Sequence, residues 1–258
     1  MTNQKTDNIT LLKGDCLTLM KDLPSKSVDL ILCDPPYGIT SRNKWDEVIP
    51  FEPMWEEYRR IIKNNGAIVL FANGLFTANL MISASDLWKY NLVWEKTQPS
   101  GFLNANKMPL RNHEDICVFY KHQPKYNPQK TYGHERKVST VKHQLNSNSQ
   151  KDSLNYGVCH VSSYDSTERF PLSVITFPKD TQKSAIHPTQ KPVALLEYLI
   201  RTYTDEGDMV LDNCMGSGST GIACINTNRG FIGMEKSDHY FNAAKKRIEE
   251  RQQEIRLF

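Results

Sequence analysis

The chain of 258 residues is 39% hydrophobic and carries 32 basic against 29 acidic side chains, a formal net charge of +3. That size accommodates one large α/β domain, or a domain with an insertion, and the weak positive balance leans only slightly toward an anionic partner. No apolar run nears the roughly 18 residues of a membrane-spanning helix, and the polar stretch 1–7 lacks the apolar core of a signal peptide, so the expectation is a cytoplasmic protein with no membrane association.

A first strand is predicted over 9–13, ending at Gly14-Asp15-Cys16, then a short helix over 17–23. The apolar run 28–33 reads as a buried strand of a parallel sheet and leads into Asp34-Pro35-Pro36-Tyr37. A helix over 53–63, with Met54, Trp55, Tyr58, Ile61 and Ile62 along one face, stops at Asn64-Asn65-Gly66. A strand over 67–71 and a helix over 75–83 follow. Two late strands, 92–95 and 116–120, suggest a hairpin at the sheet edge. From 121 to 183 periodicity lapses in a stretch rich in Asn, Gln, Ser, Lys and Tyr. A loop this long is usually functional or mobile, and it reads as a small irregular inserted module. Regularity returns at His187-Pro188-Thr189-Gln190-Lys191-Pro192, where Pro192 suits the first position of a helix over 193–202. A strand over 209–211 enters a Gly-rich turn, a helix covers 220–227, a strand 230–234, and a charged helix 240–255 closes the pattern. Strands alternating with helices imply a mostly parallel, Rossmann-like α/β sheet. Its two halves, 1–120 and 184–258, flank the insertion 121–183.

Six cysteines at positions 16, 33, 117, 159, 214 and 224 include no C-x-x-C pair. Cys33, Cys117, Cys214 and Cys224 fall in apolar segments, which fits free buried thiols better than a disulfide framework. Cys159-His160, and His113 with Cys117, are too sparse for a zinc site, and no metal is expected.

Two turns carry chemistry. Asp34-Pro35-Pro36-Tyr37 follows a buried strand, the place where ligands bind in open α/β sheets. Two prolines stiffen the turn and remove two backbone donors. What remains is a pair of acceptors, the Asp34 carboxylate and the Pro35 carbonyl, beside the flat face of Tyr37. Such a site suits the amino group of a base swung out of a nucleic-acid strand. A plain strand-ending turn has the same composition, so the second turn weighs in the reading. Gly216, Gly218 and Gly221 match G-x-G-x-x-G between a strand and a helix, and Glu235 ends the next strand 19 residues after Gly216. An acid at that distance commonly binds ribose hydroxyls, so an adenosine-containing cofactor is expected. A dinucleotide dehydrogenase is the competing reading. It fails because only one β-α-β unit remains after the turn, no second mononucleotide half follows, and Asp34-Pro35-Pro36-Tyr37 would have no role.

The segment 121–151 holds Lys121, Lys125, Lys130, Arg136, Lys137, Lys142 and Lys151 against the single acid Glu135. Tyr126, Tyr132, His122, His134 and His143 are interleaved. Cations with aromatics suit phosphates and bases, and a solvated surface loop has the same composition.

The order of these motifs, Asp34-Pro35-Pro36-Tyr37 first, a variable region next and a D-x-x-x-G-x-G turn last, resembles the β group of DNA amino-methyltransferases over about residues 11–248. Lys44-Trp45-Asp46, Trp94-Glu95-Lys96, Gly101-Phe102-Leu103-Asn104-Ala105 and Arg111-Asn112-His113-Glu114 are similar to phage-type and orphan members. The resemblance implies the family's circularly permuted sheet with an antiparallel edge strand, S-adenosyl-L-methionine as cofactor, and double-stranded DNA as the expected partner. Asp-Pro-Pro-Tyr is the form similar to adenine-N6 enzymes, with Asp34, Pro35, Pro36 and Tyr37 catalytic. Asp15, Cys16 and Asp34 would border the cofactor. His187, Pro188, Thr189 and Lys191 would contact its methionine end. Asp212, Asn213, Cys214, Met215, Gly216, Ser217, Gly218, Ser219 and Thr220 would wrap it, and Glu235 and Lys236 would hold its ribose. Cys214 departs from the Phe of the family's F-x-G-x-G. Lys44, Arg111, Lys125, Lys130, Arg136, Lys137 and Lys142 are the candidate nucleic-acid contacts. Dimers are common in the resembled group, and a homodimer and a cognate restriction enzyme are partners it allows. The alternatives are cytosine-N4 methylation, methylation of RNA or a protein amide, and a nucleic-acid-binding module without catalysis.

Overall fold

The computed structural model describes residues 8–38, 47–142, 163–180 and 190–256. They form an eight-stranded sheet in the order β1 (Ile9–Lys13), β10 (Gly230–Glu235), β9 (Met209–Asp212), β2 (Val28–Cys33), β3 (Ile62–Ala72), β5 (Arg111–Phe119), β4 (Trp88–Ser100) and β8 (Val174–Phe177). The first five strands pair in parallel, β5 is antiparallel to both β3 and β4, and β8 returns to parallel beside β4. The sheet is therefore mixed and mostly parallel, with helices on both faces, a Rossmann-like α/β fold.

Alternation along β2 shows how the layers assemble. Leu30 and Leu32 point to one face, Ile31 and Cys33 to the other, and all four are buried. Burial on both faces makes the strand a continuous apolar run. On one side, α4 (Val193–Tyr203), α5 (Ser219–Asn226) and α6 (Asp238–Arg256) contribute Leu195, Leu199, Ile222, Ala223, Ala244 and Ile248. On the other, α1 (Cys16–Met20), α2 (Phe51–Ile61) and α3 (Leu75–Ser83) contribute Met20, Met54, Trp55, Tyr58, Phe76 and Leu80. Helix α2 starts two residues before the predicted boundary. Pro53 then falls in its first turn, where a missing N–H forfeits no helical bond. Arg60 of α2 donates to the carbonyls of Met20 and Leu23 at 2.7 and 2.6 Å, satisfying acceptors left at the end of α1.

The late strands form the expected hairpin, but longer, as β4 and β5. The hairpin sits one place in from the edge, because β8 pairs along β4 outside it. The antiparallel strand is thus interior, flanked by β3 and β4.

Two connections leave the middle of the sheet in opposite directions. From β9 the chain passes through α5 to β10 on one side; from β2 it passes through α2 to β3 on the other. The point between β9 and β2 is a topological switch, and a crevice opens outside the carboxyl ends of strands at such a point.

The chain divides into two compact units, one made of residues up to Asn127 together with those from Ser173 on, the other Pro128–Leu172. In the smaller unit β6 (Lys137–Ser139) pairs antiparallel with β7 (Tyr164–Ser166), and Thr131 bridges Arg169. Ion pairs of Lys130 with Glu168 and Arg136 with Asp165 hold it, and Lys130 lies over Phe170. Among the described residues no helix is long and apolar enough to cross a membrane.

Candidate active site

A cleft of about 910 Å³ opens at the carboxyl ends of β9 and β2. Its lining includes Gly14–Cys16 after β1, Asp34–Tyr37 after β2, Asp212–Ser217 after β9 and Glu235–Ser237 after β10, with Lys191 and Arg111 at its side. The site residues predicted from the two turns, Gly218 apart, therefore line one space. Lys44 and the trio His187, Pro188 and Thr189 lie outside the described residues.

The Gly-rich turn is held from beneath. Asp212 is buried and accepts from the Cys214 N–H at 3.1 Å and from the Thr220 hydroxyl at 2.6 Å. Burial pushes its carboxyl up to about 7. Tyr58 of α2 donates to Asn213 Oδ1 at 2.6 Å, tying the turn to the opposite helical layer. Gly218 takes φ +78°, a left-handed conformation, and an added Cβ would lie 3.1 Å from Ala244 Cβ and Ile248 Cδ1. Arg247 of α6 donates to the Ser217 carbonyl at 3.2 Å and to Ser219 Oγ at 3.0 Å.

Glu235 closes the far wall. Its carboxylate accepts from the N–H groups of Gly216 at 3.1 Å and Ser237 at 2.8 Å, and burial raises its pKa. Each oxygen keeps a lone pair for a hydroxyl group. Asp15 caps α1 through the Thr18 N–H at 3.2 Å and lies 4.0 Å from Lys236. The Cys16, Cys33 and Cys214 thiols meet beneath this wall. Burial pushes Cys33 up to about 12, so it stays a neutral core residue and not a nucleophile.

Around the Asp34 turn the surprise is how fully the carboxylate is engaged. Tyr37 donates its hydroxyl to Asp34 Oδ1 at 2.5 Å, and the Lys191 ammonium contacts Oδ2. The Tyr37 ring packs on Phe76 with centroids 4.9 Å apart. Lys191 is 8% exposed and also lies 3.3 Å from Glu114 Oε2. Burial works against its charge, but the Asp34 and Glu114 carboxylates outweigh burial and raise its pKa. Its neighbour Gln190 accepts from the Ser217 hydroxyl at 3.0 Å. Residues 190 and 191 thus join the Gly-rich turn to the Asp34 turn. Glu114, Lys96 and Tyr58 were not among the predicted site residues, and Gln190 was named only as part of the motif from His187 to Pro192.

The candidate cations fare differently. Arg111 opens β5 and lines the cleft. Lys125 pairs with Asp205 at 2.9 Å and Asp208 at 2.8 Å, Lys130 with Glu168, and Arg136 with Asp165. Acids distant in sequence offset much of the basic excess read from 121–151. Lys137 and Lys142 are exposed and form no ion pair among the described residues.

A switch-point cleft of this size, with a Gly-rich turn, a terminal acid and a rigid acceptor turn, is the site of a Rossmann-like transferase that takes a nucleoside cofactor. The family model described as DNA methylase, covering N6 and N4 amino-methyltransferases, matches residues 28–246, and the chain belongs to that family. It is 31% identical to the Type II methyltransferase M.HpaI of Haemophilus parainfluenzae over 93% of this chain and 74% of that one. The crystal structure of an M1.HpyAVI–SAM complex superposes with a TM-score of 0.64 at 25% identity, covering 93% of this chain and 98% of that one. The cytosine-N4-specific PvuII DNA methyltransferase superposes with a TM-score of 0.66 at 17% identity, covering 97% and 93%, a likeness of fold.

Proposed function

We propose that this DNA methylase transfers a methyl group from S-adenosyl-L-methionine to the N6 amino group of an adenine flipped out of DNA, as a β-group enzyme of the Asp-Pro-Pro-Tyr type. The observation that carries the reading is the Asp34 turn and the Gly-rich turn facing one cleft at the switch point. The residues present fit the cofactor. Glu235 and Asp15 offer acceptors for ribose and polar groups, and the backbone of Asn213–Ser217 lets a ligand approach closely. When bound, the cofactor supplies an electrophilic methyl group on a sulfonium.

The chain's own residues do the rest. An adenine amino group is a poor nucleophile because its lone pair is delocalised into the ring. Asp34 and the Pro35 carbonyl accept its two N–H bonds, which draws the nitrogen toward tetrahedral geometry and exposes the lone pair. Asp34 then stabilises positive charge growing on that nitrogen and takes up its surplus proton. Tyr37 fixes the carboxylate through its hydroxyl, and its ring offers a face to the base. No covalent enzyme intermediate is needed. Residues 121–183 are the target reader, with Lys137, Lys142 and Arg111 toward phosphates. The assembly partners proposed are a second copy of the chain and a cognate restriction enzyme, and the working compartment is the cytoplasm.

Cytosine-N4 transfer is the second reading, favoured by the family's own breadth. Asp, where N4 enzymes more often carry Ser, supports adenine. The test is incubation with labelled S-adenosylmethionine and mixed-sequence DNA, digestion to nucleosides and mass spectrometry. N6-methyladenine is expected. N4-methylcytosine would keep the mechanism and replace the target, and no methylated nucleoside from cofactor-binding protein would overturn the reading.

A further inference from the structure

Four charged side chains form an alternating line into the site: Lys96 on β4, Glu114 on β5, Lys191 before α4, and Asp34. Lys96 contacts Glu114 Oε1 and is 9% exposed; Glu114 is 14% exposed. Both ammonium groups also rest on aromatic faces, Lys96 over Trp94 and Lys191 over Phe71, each at 4.9 Å from the ring centroid. Two cations and two anions cancel, which is what allows the line to be buried. Yet a buried ion pair is seldom the most stable way to fill a core, so its arrangement calls for a use.

The line is asymmetric. Lys191 bonds Asp34 Oδ2, while Glu114 Oε2 stands 3.3 Å from the same ammonium without hydrogen-bond geometry. That oxygen is buried and makes no hydrogen bond among the described residues. A buried carboxylate oxygen whose nearest donor is an ammonium at 3.3 Å is under-satisfied, and a closer donor would stabilise it. Meanwhile Asp34 gives one oxygen to Tyr37 and the other to Lys191, so an incoming amino group meets a carboxylate whose charge the Lys191 ammonium already offsets.

We infer that Glu114 is the alternate seat of the Lys191 ammonium: Lys191 holds Asp34 in the absence of a base and passes to Glu114 Oε2 when a target amino group docks, freeing Asp34 Oδ2. The inference rests on the methyl-transfer reading. Through the step the N–CH₃ bond forms and the S–CH₃ bond breaks, then the nitrogen's N–H breaks as an O–H forms on Asp34. Asp34 is neutral at that moment, and Glu114 is the anion that remains beside the Lys191 ammonium, shared with Lys96. The proton then leaves Asp34 to water and Lys191 returns. Glu114 does not touch the reacting atoms and is a positioning residue.

The test compares wild type, Glu114→Gln and Glu114→Asp in single-turnover methylation, with cofactor affinity measured by calorimetry. Glu114→Gln keeps the shape and removes the anion. We expect its methylation rate to fall at least tenfold, with the Kd for S-adenosylmethionine unchanged within twofold, and Glu114→Asp to regain most of the rate. A merely structural role would move cofactor affinity with the rate and would not be rescued by charge. An unchanged rate in Glu114→Gln, or equal loss of cofactor binding in both variants, overturns the hand-over. If Glu114→Gln does not fold, a crystal structure of wild type with target DNA and the unreactive analogue sinefungin decides. Lys191 nearer Glu114 than Asp34 supports the inference, and Lys191 still on Asp34 with the base docked overturns it. Wild type that yields no methylated nucleoside would instead overturn the methyl-transfer reading and the hand-over with it.

Discussion

Replacing Asp212 by Asn removes a titrating group from under the Gly-rich turn while keeping its shape. The carboxyl is buried, and burial moves its pKa from 3.8 to about 7. The folded protein therefore binds this proton more tightly than the unfolded chain. The stability this proton contributes is fully present below pH 3.8 and is lost as pH rises to about 7. Roughly three pH units at about 1.4 kcal/mol each make the loss about 4 kcal/mol, an order-of-magnitude figure. Asn can still accept from the Cys214 N–H, and its amide can donate to the Thr220 hydroxyl, which accepts as readily as it donates. The variant should thus resemble wild type near pH 4 and be the more stable protein at pH 8. Urea unfolding of both, without cofactor, at intervals between pH 4 and 8 measures the difference, and other titrating groups cancel in the comparison. Parallel curves across that range would mean that the Asp212 carboxyl titrates alike in the folded and unfolded chain.

Asp34→Asn should lower methyl transfer at least about 100-fold, as loss of one preorganised charge at a reacting centre does, while calorimetry shows cofactor binding preserved. Gly218→Ala forces a left-handed φ of +78° on a residue with a Cβ that meets Ala244 and Ile248 at 3.1 Å. It should cost about 1–2 kcal/mol and lower the melting temperature by roughly 2–8 °C in thermal unfolding. Lys137→Ala and Lys142→Ala should each reduce the slope of log affinity for DNA against log salt by about one, with binding weakened alike for all sequences; an unchanged slope would remove both from the phosphate contacts.

The parallel core was legible because β2 and β9 are short apolar runs ending in turn residues, and the motifs follow directly after them. Glu114 was quoted within a motif, but its place in the site was not legible, for a geometric reason. Strand β5 runs against its neighbours, so the end that reaches the site is its beginning, and the carboxylate precedes the apolar run Ile116-Cys117-Val118-Phe119. A search for polar residues after strands looks at the wrong end. Strand β8 was missed because four residues between prolines carry little periodicity, and only pairing with β4 makes them a strand. The basic stretch read as open charge because its partners, Asp165, Glu168, Asp205 and Asp208, lie outside it in sequence. Lys191 was visible as a motif residue, but its contact with Asp34 spans 157 positions and depends on the sheet being assembled.

The interleaved strand order bears on how the chain could be divided. Cut within Pro128–Leu172, it yields a leading piece with β1 to β5 and a trailing piece with β8 to β10. In the leading piece alone β1 and β2 are not neighbours, because β9 and β10 fill the gap between them. The trailing piece would have to slot two strands into that gap and lay β8 along β4 at the far edge. One piece would hold Asp34 and the other Lys191 and the Gly-rich turn. Each alone would leave unpaired strand edges, which invite aggregation, so complementation between the two would succeed only when they are produced together.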